Sequence, residues 1–556
     1  MRRVIAVLCI VVGAVPLLLG TAAAVLVGPD DRVDLRERAA PAGVQAVVVP
    51  HDLVPLTGVT LHVEARAESG DVLVGSAHPV DVASYTGVAR RLVVKRVGAD
   101  GRPVGDVRGA PDAAPLDVAA ATFWTAEDRG AGTRSIDVPL TDEPVAVVVA
   151  TAVPAAPIRF GVGLEINSAF TVAAACAVGG GLLVGTGLVL LLRGGAGRPR
   201  TTSTDAHERV PATTPEDVER AAQRVEPGVR RRLVAVGAAV AGATALAGCS
   251  PVPGLADRAA RPERPALTAA EQSEPEPTPH PYQVASQAAA AGDPSAWAQV
   301  TGGPELEIRE LSTRIELARA ATDGTPVDGS TYELVTLEEI DPSFTSYPLY
   351  RVLLAQAAGD ETAPPFVRLL ERRDVLDAWH VRAEASVPAG TTLRAADGPI
   401  SHAPTEDDLA RAAGALDAVE HYLATGDGTG VVAMGDLAEV RHDLLPVDEL
   451  GAVVQSLTVQ AWGDQEDPFG RGGASRAFGV ADGTLTVLAL DVSATLSSTS
   501  ADEPLRFTDP VVAELVGQPG WRTSLRTESV VVVAAVVSHS GDVTVLGADA
   551  APVHRP

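Results

Sequence analysis

Aromatic residues make up only 3% of this 556-residue chain, cysteine occurs three times, and lysine once, at Lys95. Each shortage excludes something. Cys9, Cys176 and Cys249 all lie in or at the edge of apolar runs, so the polar parts of the chain have no disulfide framework and no cysteine-based metal site. The replacement of lysine by arginine, together with abundant Ala, Val and Gly, reflects coding bias and carries no functional information. The usual catalytic signatures are missing too. There is no His-Glu-x-x-His, no Gly-x-Ser-x-Gly elbow, no P-loop and no cysteine in a polar segment to serve as nucleophile. Gly470-Arg471-Gly472-Gly473 lacks the preceding strand and following helix of a phosphate cradle and is read as a loop. Asp464, Glu466 and Asp467, next to Trp462, lack the alternating oxygen ligands and the glycine of an EF-hand, and are read as a solvated acidic loop. The sequence therefore assigns no catalytic, cofactor-binding or metal-binding residue.

Cations are also scarce in the second half. From Ser250 onward 46 acidic residues stand against 20 basic ones, which accounts for 26 of the chain's 27 net negative charges. Such a surface repels nucleic acid and anionic headgroups, so neither is expected as its ligand.

What the chain does have is apolar runs flanked by arginine. Arg2-Arg3 precede an uncharged run at 4–27, long enough to span a bilayer, with a cleaved secretory signal ending near Thr21-Ala22-Ala23-Ala24 as the competing reading. A second run, 169–192, is rich in glycine; Gly179-Gly180-Gly181, Gly185 and Gly187 offer small surfaces for another helix. The third, 233–249, follows Arg230-Arg231-Arg232 and ends in Leu246-Ala247-Gly248-Cys249. Its apolar core of about sixteen residues reaches only about 24 Å, short of a hydrocarbon core of roughly 30 Å. The order of cations, short apolar run and Leu-Ala-Gly-Cys resembles a bacterial lipoprotein signal, in which Cys249 would be lipidated and the bond before it cut. The alternative is an uncut third span. Arginines at the N-terminus, at Arg193, Arg198 and Arg200, and at 230–232 place the linker 193–232 on the cytoplasmic side and both polar regions outside. Within that linker a helix is expected at 215–225, capped by Thr214.

Between the first two runs, residues 29–166 alternate with period two, as in Thr60-Leu61-His62-Val63-Glu64-Ala65-Arg66, with Gly, Pro and Asp between runs. This predicts a β-sandwich-like domain. His51, His62 and His78 are scattered through it without ligand spacing and are read as surface or loop histidines.

After Cys249, a Pro-rich segment at 250–281 reads as an extended spacer. The remainder reads as two α+β domains, 282–400 and 401–556. The first has helices at 282–291 and 304–321 and strands near 332–337, 349–356, 366–371 and 378–387. The second has helices at 406–424 and near 447–460 and strands at 474–480, 485–493 and 527–539, with a turn at Ser540-Gly541-Asp542 into 543–546. A helix ending in Ala291-Gly292-Asp293 has its counterpart in one ending in Thr425-Gly426-Asp427. A helix, a Gly-Asp break, a second helix and a curved antiparallel sheet resemble the cystatin-like or NTF2-like roll, and the shared phrase suggests that the roll is duplicated. Trp297, Trp379, Trp462 and Trp521 are read as core anchors of these rolls.

Ser346-Tyr347-Pro348-Leu349-Tyr350-Arg351-Val352, Phe366-Val367-Arg368-Leu369-Leu370-Glu371, Ala378-Trp379-His380-Val381 and Pro388-Ala389-Gly390-Thr391-Thr392-Leu393 form a pattern. It is similar to an uncharacterised domain-of-unknown-function family of actinobacterial lipoproteins over roughly 267–546. The resemblance implies a membrane-tethered extracytoplasmic protein and supplies no catalytic residues. The expectation is a multidomain membrane protein of the cell envelope that binds or assembles rather than catalyses, partnered by the membrane and by envelope proteins or a small ligand. The alternative is an envelope hydrolase built on His421, His442 or His539 with a nearby carboxylate such as Asp443.

Overall fold

A computed structural model describes residues 2–193 except 36, 99–101 and 154–155. It further describes 254–255, 262–273, 280–327, 334–359, 362–393, 404–463, and 476–553 except 501, 503 and 508. Cys249 with its apolar run, the helix expected at 215–225 and the acidic loop at 464–467 lie outside the described residues. The chain divides into two units, Met1–Val82 with Thr86–Ala260, and Arg261–Pro556 with Ala83–Tyr85.

In the first unit, α1 (Arg2–Val27) leads into β1 (Arg32–Asp34), β2 (Arg38–Ala39), β3 (Ala46–Val49), β4 (Leu56–Thr57) and β5 (Val59–Ala77). There follow α2 (Pro79–Thr86), β6 (Arg91–Val97), β7 (Pro103–Arg108), β8 (Ala126–Leu140), β9 (Ala146–Thr151), β10 (Ile158–Glu165) and α3 (Ala169–Arg193). Nine strands form a mixed sheet in the order β1-β10-β5-β9-β3-β6-β7, with β2 on β10 and β8 on β5, while β4 pairs with β11 (Gly254–Leu255). The long β5 bends about Gly70 (φ 75°). Its first half pairs with β10 as far as Ala67 and its second half with β9 from Val72. One strand thus serves two lobes, a common way for a sandwich to turn a corner. Val63, Val138 and Phe160 from one lobe meet Val74, Leu92 and Val149 from the other in a single core. The outer face of the second lobe, with Ala46, Leu73 and Val148, is covered by Val82 of α2 and by Val118. Buried on both faces, β9 reads Ala-Val-Val-Val-Ala-Thr without alternation.

Both α1 and α3 are long and apolar enough to cross a membrane. They pack antiparallel through small residues seven apart, Ala6, Gly13 and Gly20 against Gly187, Gly180 and Ala173. A Cβ at Gly180 would fall 2.4 Å from Leu17 N, and one at Gly20 2.6 Å from Ala173 O. Backbones approach this closely only where side chains are absent. Of the glycines singled out from sequence, Gly180 and Gly187 make the seam, whereas Gly179 and Gly185 face open space. Asp31, itself at φ 58°, locks the two helices to the sheet, because its carboxylate accepts the N–H groups of Ser168 (3.1 Å) and Phe170 (2.6 Å) at the start of α3.

The second unit begins inside the expected spacer, which is not uniformly extended and solvated. β12 (Arg264–Pro265) pairs with β14 (Ser343–Phe344), and α4 (Ala269–Ser273) follows. Arg264, 1% exposed, donates two bonds of 2.9 Å to the Glu271 carboxylate, which also takes Arg372 at 2.7 Å. Burial works against ionising Glu271, but Arg264, Thr268 and Arg372 together hold its pKa below the usual range.

The two α+β halves run the same course. The first has α5 (Pro281–Ala290), a 3₁₀ turn (Pro294–Gln299), α6 (Pro304–Asp323), β13 (Leu334–Ile340), β15 (Leu349–Ala357), β16 (Phe366–Arg372) and β17 (His380–Ser386). The second has α7 (Glu406–Thr425), β18 (Val431–Ala433), α8 (Leu437–Leu444), α9 (Val447–Leu450), β19 (Ala452–Ala461) and β20 (Arg476–Val480). It ends with β21 (Gly483–Ser498), α10 (Pro510–Leu515), β22 (Ser524–Ser538) and β23 (Val543–Pro552). The Gly-Asp breaks do the same work in each. Asp293 Oδ1 accepts from Ser295 N and Oγ, and Asp427 Oδ1 from Thr429 N and Oγ1. The segment after each break bridges in parallel to the last strand of its sheet, Thr301 to Val381 and Val431 to Val543. Sheet orders β13-β15-β16-β17 and β19-β21-β22-β23 correspond, and so do the bulges between the first two and the last two strands. One expectation fails. Residues 447–460 are a single helical turn ended by Gly451 (φ 58°), followed by the strand β19, while the helix at Leu437–Leu444 went unforeseen. The β-branched run Val453-Val454 and the Thr458-Val459 pair favour a strand there.

The halves pack sheet against sheet around one core, in which Val352, Leu369 and Ala383 meet Phe478, Val487 and Val532. Their helix-facing sides differ. α7 and α8 close an apolar core with Leu416, Val419, Leu488 and Val533. α5 and α6 cover an ionic one, where Arg309 binds Glu305 (2.6 Å) and Glu384 (3.0 Å), and Arg368 binds Glu384 (2.6 Å) beside Tyr282.

Candidate functional site

A cavity of about 520 Å³ opens in the second half, over the ends of β21, β22 and β23. Its position follows from a widening of the helical cover. α8 and α9 bring His442, Asp443 and Leu450 to one side, and the segment around α10 brings Phe507, Val512 and Gln518 to the other. The floor is apolar, with Leu496, Leu525 and Val553.

Each wall is held in place by identifiable bonds. Asp509 caps α10 by accepting from Val511 N (2.8 Å) and Val512 N (3.3 Å), and its other oxygen pairs with Arg319 of α6. The Arg319 hydrogen bond and the capped N–H groups hold the Asp509 pKa low despite some desolvation. Gln518 clamps the edge of β22, donating to Arg526 O (2.6 Å) and accepting from Arg526 N (2.9 Å). On the rim, Arg526 pairs with Glu528 at 2.6 Å, and Arg506 lies 4.6 Å from the centroid of the Trp521 ring.

Of the histidines weighed for acid–base chemistry, His442 lines the cavity together with Asp443, and the hydroxyls of Thr527 and Ser529 share the lining. His421 sits on α7, 3.7 Å from Asp427, and His539 lies in the turn after β22; neither lines the cavity. No protein-family model matches the sequence, and no curated protein matches it. The reading of this site therefore rests on its geometry.

Among the described residues no group of three or more His, Cys, Asp or Glu side chains is placed to hold a metal ion. His62 is on β5 rather than in a loop, with Nδ1 2.6 Å from Asp137 of β8 directly opposite. Trp297 is a core anchor, donating to Thr313 Oγ1 (2.9 Å) against the edge of Tyr282. Trp379 and Trp462 are half-buried beneath Arg351 and Arg382. Trp521 is not a core anchor. It is 62% exposed, because the segment before β22 carries it outside the sheet. The residues that line the cavity went unforeseen, because they come from six elements spread over residues 442–553 and have no local signature.

Proposed function

We propose that this protein is a membrane-anchored binding module whose ligand is a small amphipathic molecule held in the cavity over β21 to β23. The observation that carries the reading is the cavity's construction, a volume within the range of small-molecule sites with an apolar floor and a rim of both charge signs. Two corresponding α+β rolls of the cystatin-like or NTF2-like kind form such concave faces naturally, and the second roll's face carries this cavity. In this reading α1 and α3 span the membrane with Arg2, Arg3 and Arg193 on the cytoplasmic side, both folded units lie outside, and Cys249 is a lipid attachment point.

The test uses the full chain in maltoside detergent and the neutral dye N-phenyl-1-naphthylamine. Saturable enhancement of dye fluorescence, lost in Leu525→Trp with an unchanged circular dichroism spectrum, is the expected result. Equal enhancement in the filled variant would remove the cavity as the site. A hydrolase reading is favoured by His442 sharing the cavity lining with the Thr527 and Ser529 hydroxyls. It predicts turnover of p-nitrophenyl acetate abolished by His442→Ala, and that result would overturn the binding reading.

A further inference from the structure

β19 forms one edge of the second roll's sheet. Among the described residues it pairs with β21 alone. It reads Ala-Val-Val-Gln-Ser-Leu-Thr-Val-Gln-Ala over 452–461, without a charge, a proline or a glycine, in the acidic half of the chain. Sheet edges are normally guarded by charge, by proline or by brevity, because a row of outward N–H and C=O groups is a template for another strand. The counterpart edge in the first roll is guarded in this way. β13 carries Glu338 and Glu339, and the Leu393 N–H donates to the Glu338 carboxylate.

Pairing with β21 fixes the side to which each residue of β19 points. The register skips one residue between Val454 and Ser456, so Gln455 is the extra residue of a bulge. Val454, Leu457, Val459 and Ala461 stand opposite Leu496, Ala494, Val492 and Leu490, all members of the apolar core beneath α7. Together with Ala452 they form the helix-covered row, and Val453, Ser456, Thr458 and Gln460 form the opposite one. Helix cover runs out along this strand. Val454 is 40% exposed, and Leu457, Val459 and Ala461 are half-buried. The core thus ends at β19 on an apolar row that is partly wet.

With the bulge residue set aside, β19 is complementary to itself. A two-fold axis through Leu457 sets Leu457 opposite Leu457, Val454 opposite Val459 and Ala452 opposite Ala461 in the helix-covered row. In the other row it sets Ser456 opposite Thr458 and Val453 opposite Gln460. Antiparallel pairing about an axis perpendicular to the sheet keeps like faces together, so apolar side chains meet apolar ones and no like charges are opposed.

We propose that β19 is a homodimer interface, joining two copies of this chain edge to edge about Leu457 into one continuous sheet. The occupant is a second copy because the strand itself supplies the complement of both its rows. The apolar row of each copy then extends the other's core, and each open edge satisfies the other's backbone groups. The acidic surfaces of the two copies oppose their approach, so the dimer tightens as salt screens that repulsion.

Sedimentation velocity of the full chain in maltoside detergent, over a series of protein concentrations, counts the copies in each particle. A monomer–dimer equilibrium that shifts towards dimer with added sodium chloride is the expected result. Ser456→Glu combined with Thr458→Glu opposes like charges twice across the axis and should weaken the dimer about tenfold, whereas Ser456→Arg combined with Thr458→Glu should restore it. Both positions are exposed, and an unchanged circular dichroism spectrum verifies that each variant folds. A particle that stays monomeric at every concentration and salt overturns the proposal. So does a dimer that survives the paired glutamates, which would place the contact elsewhere, or a loss that the arginine–glutamate pair does not reverse.

Discussion

Asp408 joins the first turn of α7 to the sheet beneath it, and neutralising it should remove a measurable part of the second roll's stability. Its Oδ2 accepts from Thr405 N (3.0 Å) and Thr405 Oγ1 (2.7 Å), completing a capping box whose other half is Asp408 N donating to Thr405 Oγ1 (3.1 Å). Its Oδ1 accepts from Thr484 Oγ1 (2.6 Å) on β21 and from Arg411 Nη2 (2.7 Å). Burial opposes the charge, yet these donors prevail and bring the Asp408 pKa from 3.8 to about 2. A drop of nearly two units, at about 1.4 kcal/mol each, corresponds to about 2 kcal/mol. The side chain is 11% exposed, so solvent screening takes little of this. Because the folded-state pKa is the lower one, the contribution is complete above about pH 4 and is lost as pH falls towards 2. Urea unfolding of the full chain in detergent, followed by tryptophan fluorescence, should show Asp408→Asn less stable than the parent by about 2 kcal/mol at pH 7, with the gap closing below pH 4. Thr405→Ala, which removes only the cap, should cost about 1 kcal/mol. A gap that stays constant down to pH 2, or an Asn variant as stable as the parent, would refute the reasoning.

The helix seam gives a second prediction. Gly180→Leu forces α1 and α3 apart and should cost about 1 to 3 kcal/mol, read as a lower melting temperature in detergent, whereas Gly179→Leu on the open face should leave it unchanged. Equal effects at both positions would show that the seam is not the contact that matters. The third prediction concerns Asp341, 5% exposed and bonded to Arg351 at 2.9 Å. Burial and a hydrogen bond with Glu339 raise its pKa from 3.8 to about 7. The folded state then binds a proton that the unfolded state has released, so stability should decline as pH rises from about 4 to about 7. Asp341→Asn should flatten that decline in a series of melting curves, and an unaltered slope in the variant would count against it.

The elements most visible in the sequence were those set by local chemistry. Apolar runs at 4–27 and 169–192 became α1 and α3, both long and apolar enough to cross a membrane. Thr405 at the start of α7, prolines at the starts of α5 and α6, and the Gly-Asp breaks at 292–293 and 426–427 marked boundaries through bonds made within a few residues. The failure at 447–460 has the same root. A periodic apolar run of that length fits a helix or a strand, and the pairing with β21 decided for a strand.

Neither the residues that line the candidate cavity nor the burial of the arginines was legible in advance. Arginine and glutamate read as surface residues by composition, yet Arg264, Arg368, Arg382, Arg476 and Glu371 are buried, because partners as distant in sequence as Tyr350 and Arg476 meet across paired sheets. The sequence by itself determined the two long apolar helices, the alternation of β5 and β8, the helix starts and the overall acidity, since each depends on composition or on near neighbours in the chain. Tertiary structure alone decided that β5 serves two lobes, that the two rolls share one core, and that His442, Phe507 and Leu525 surround the same space. Strand pairing and burial are set by which distant faces exclude water together, and no local pattern encodes that choice.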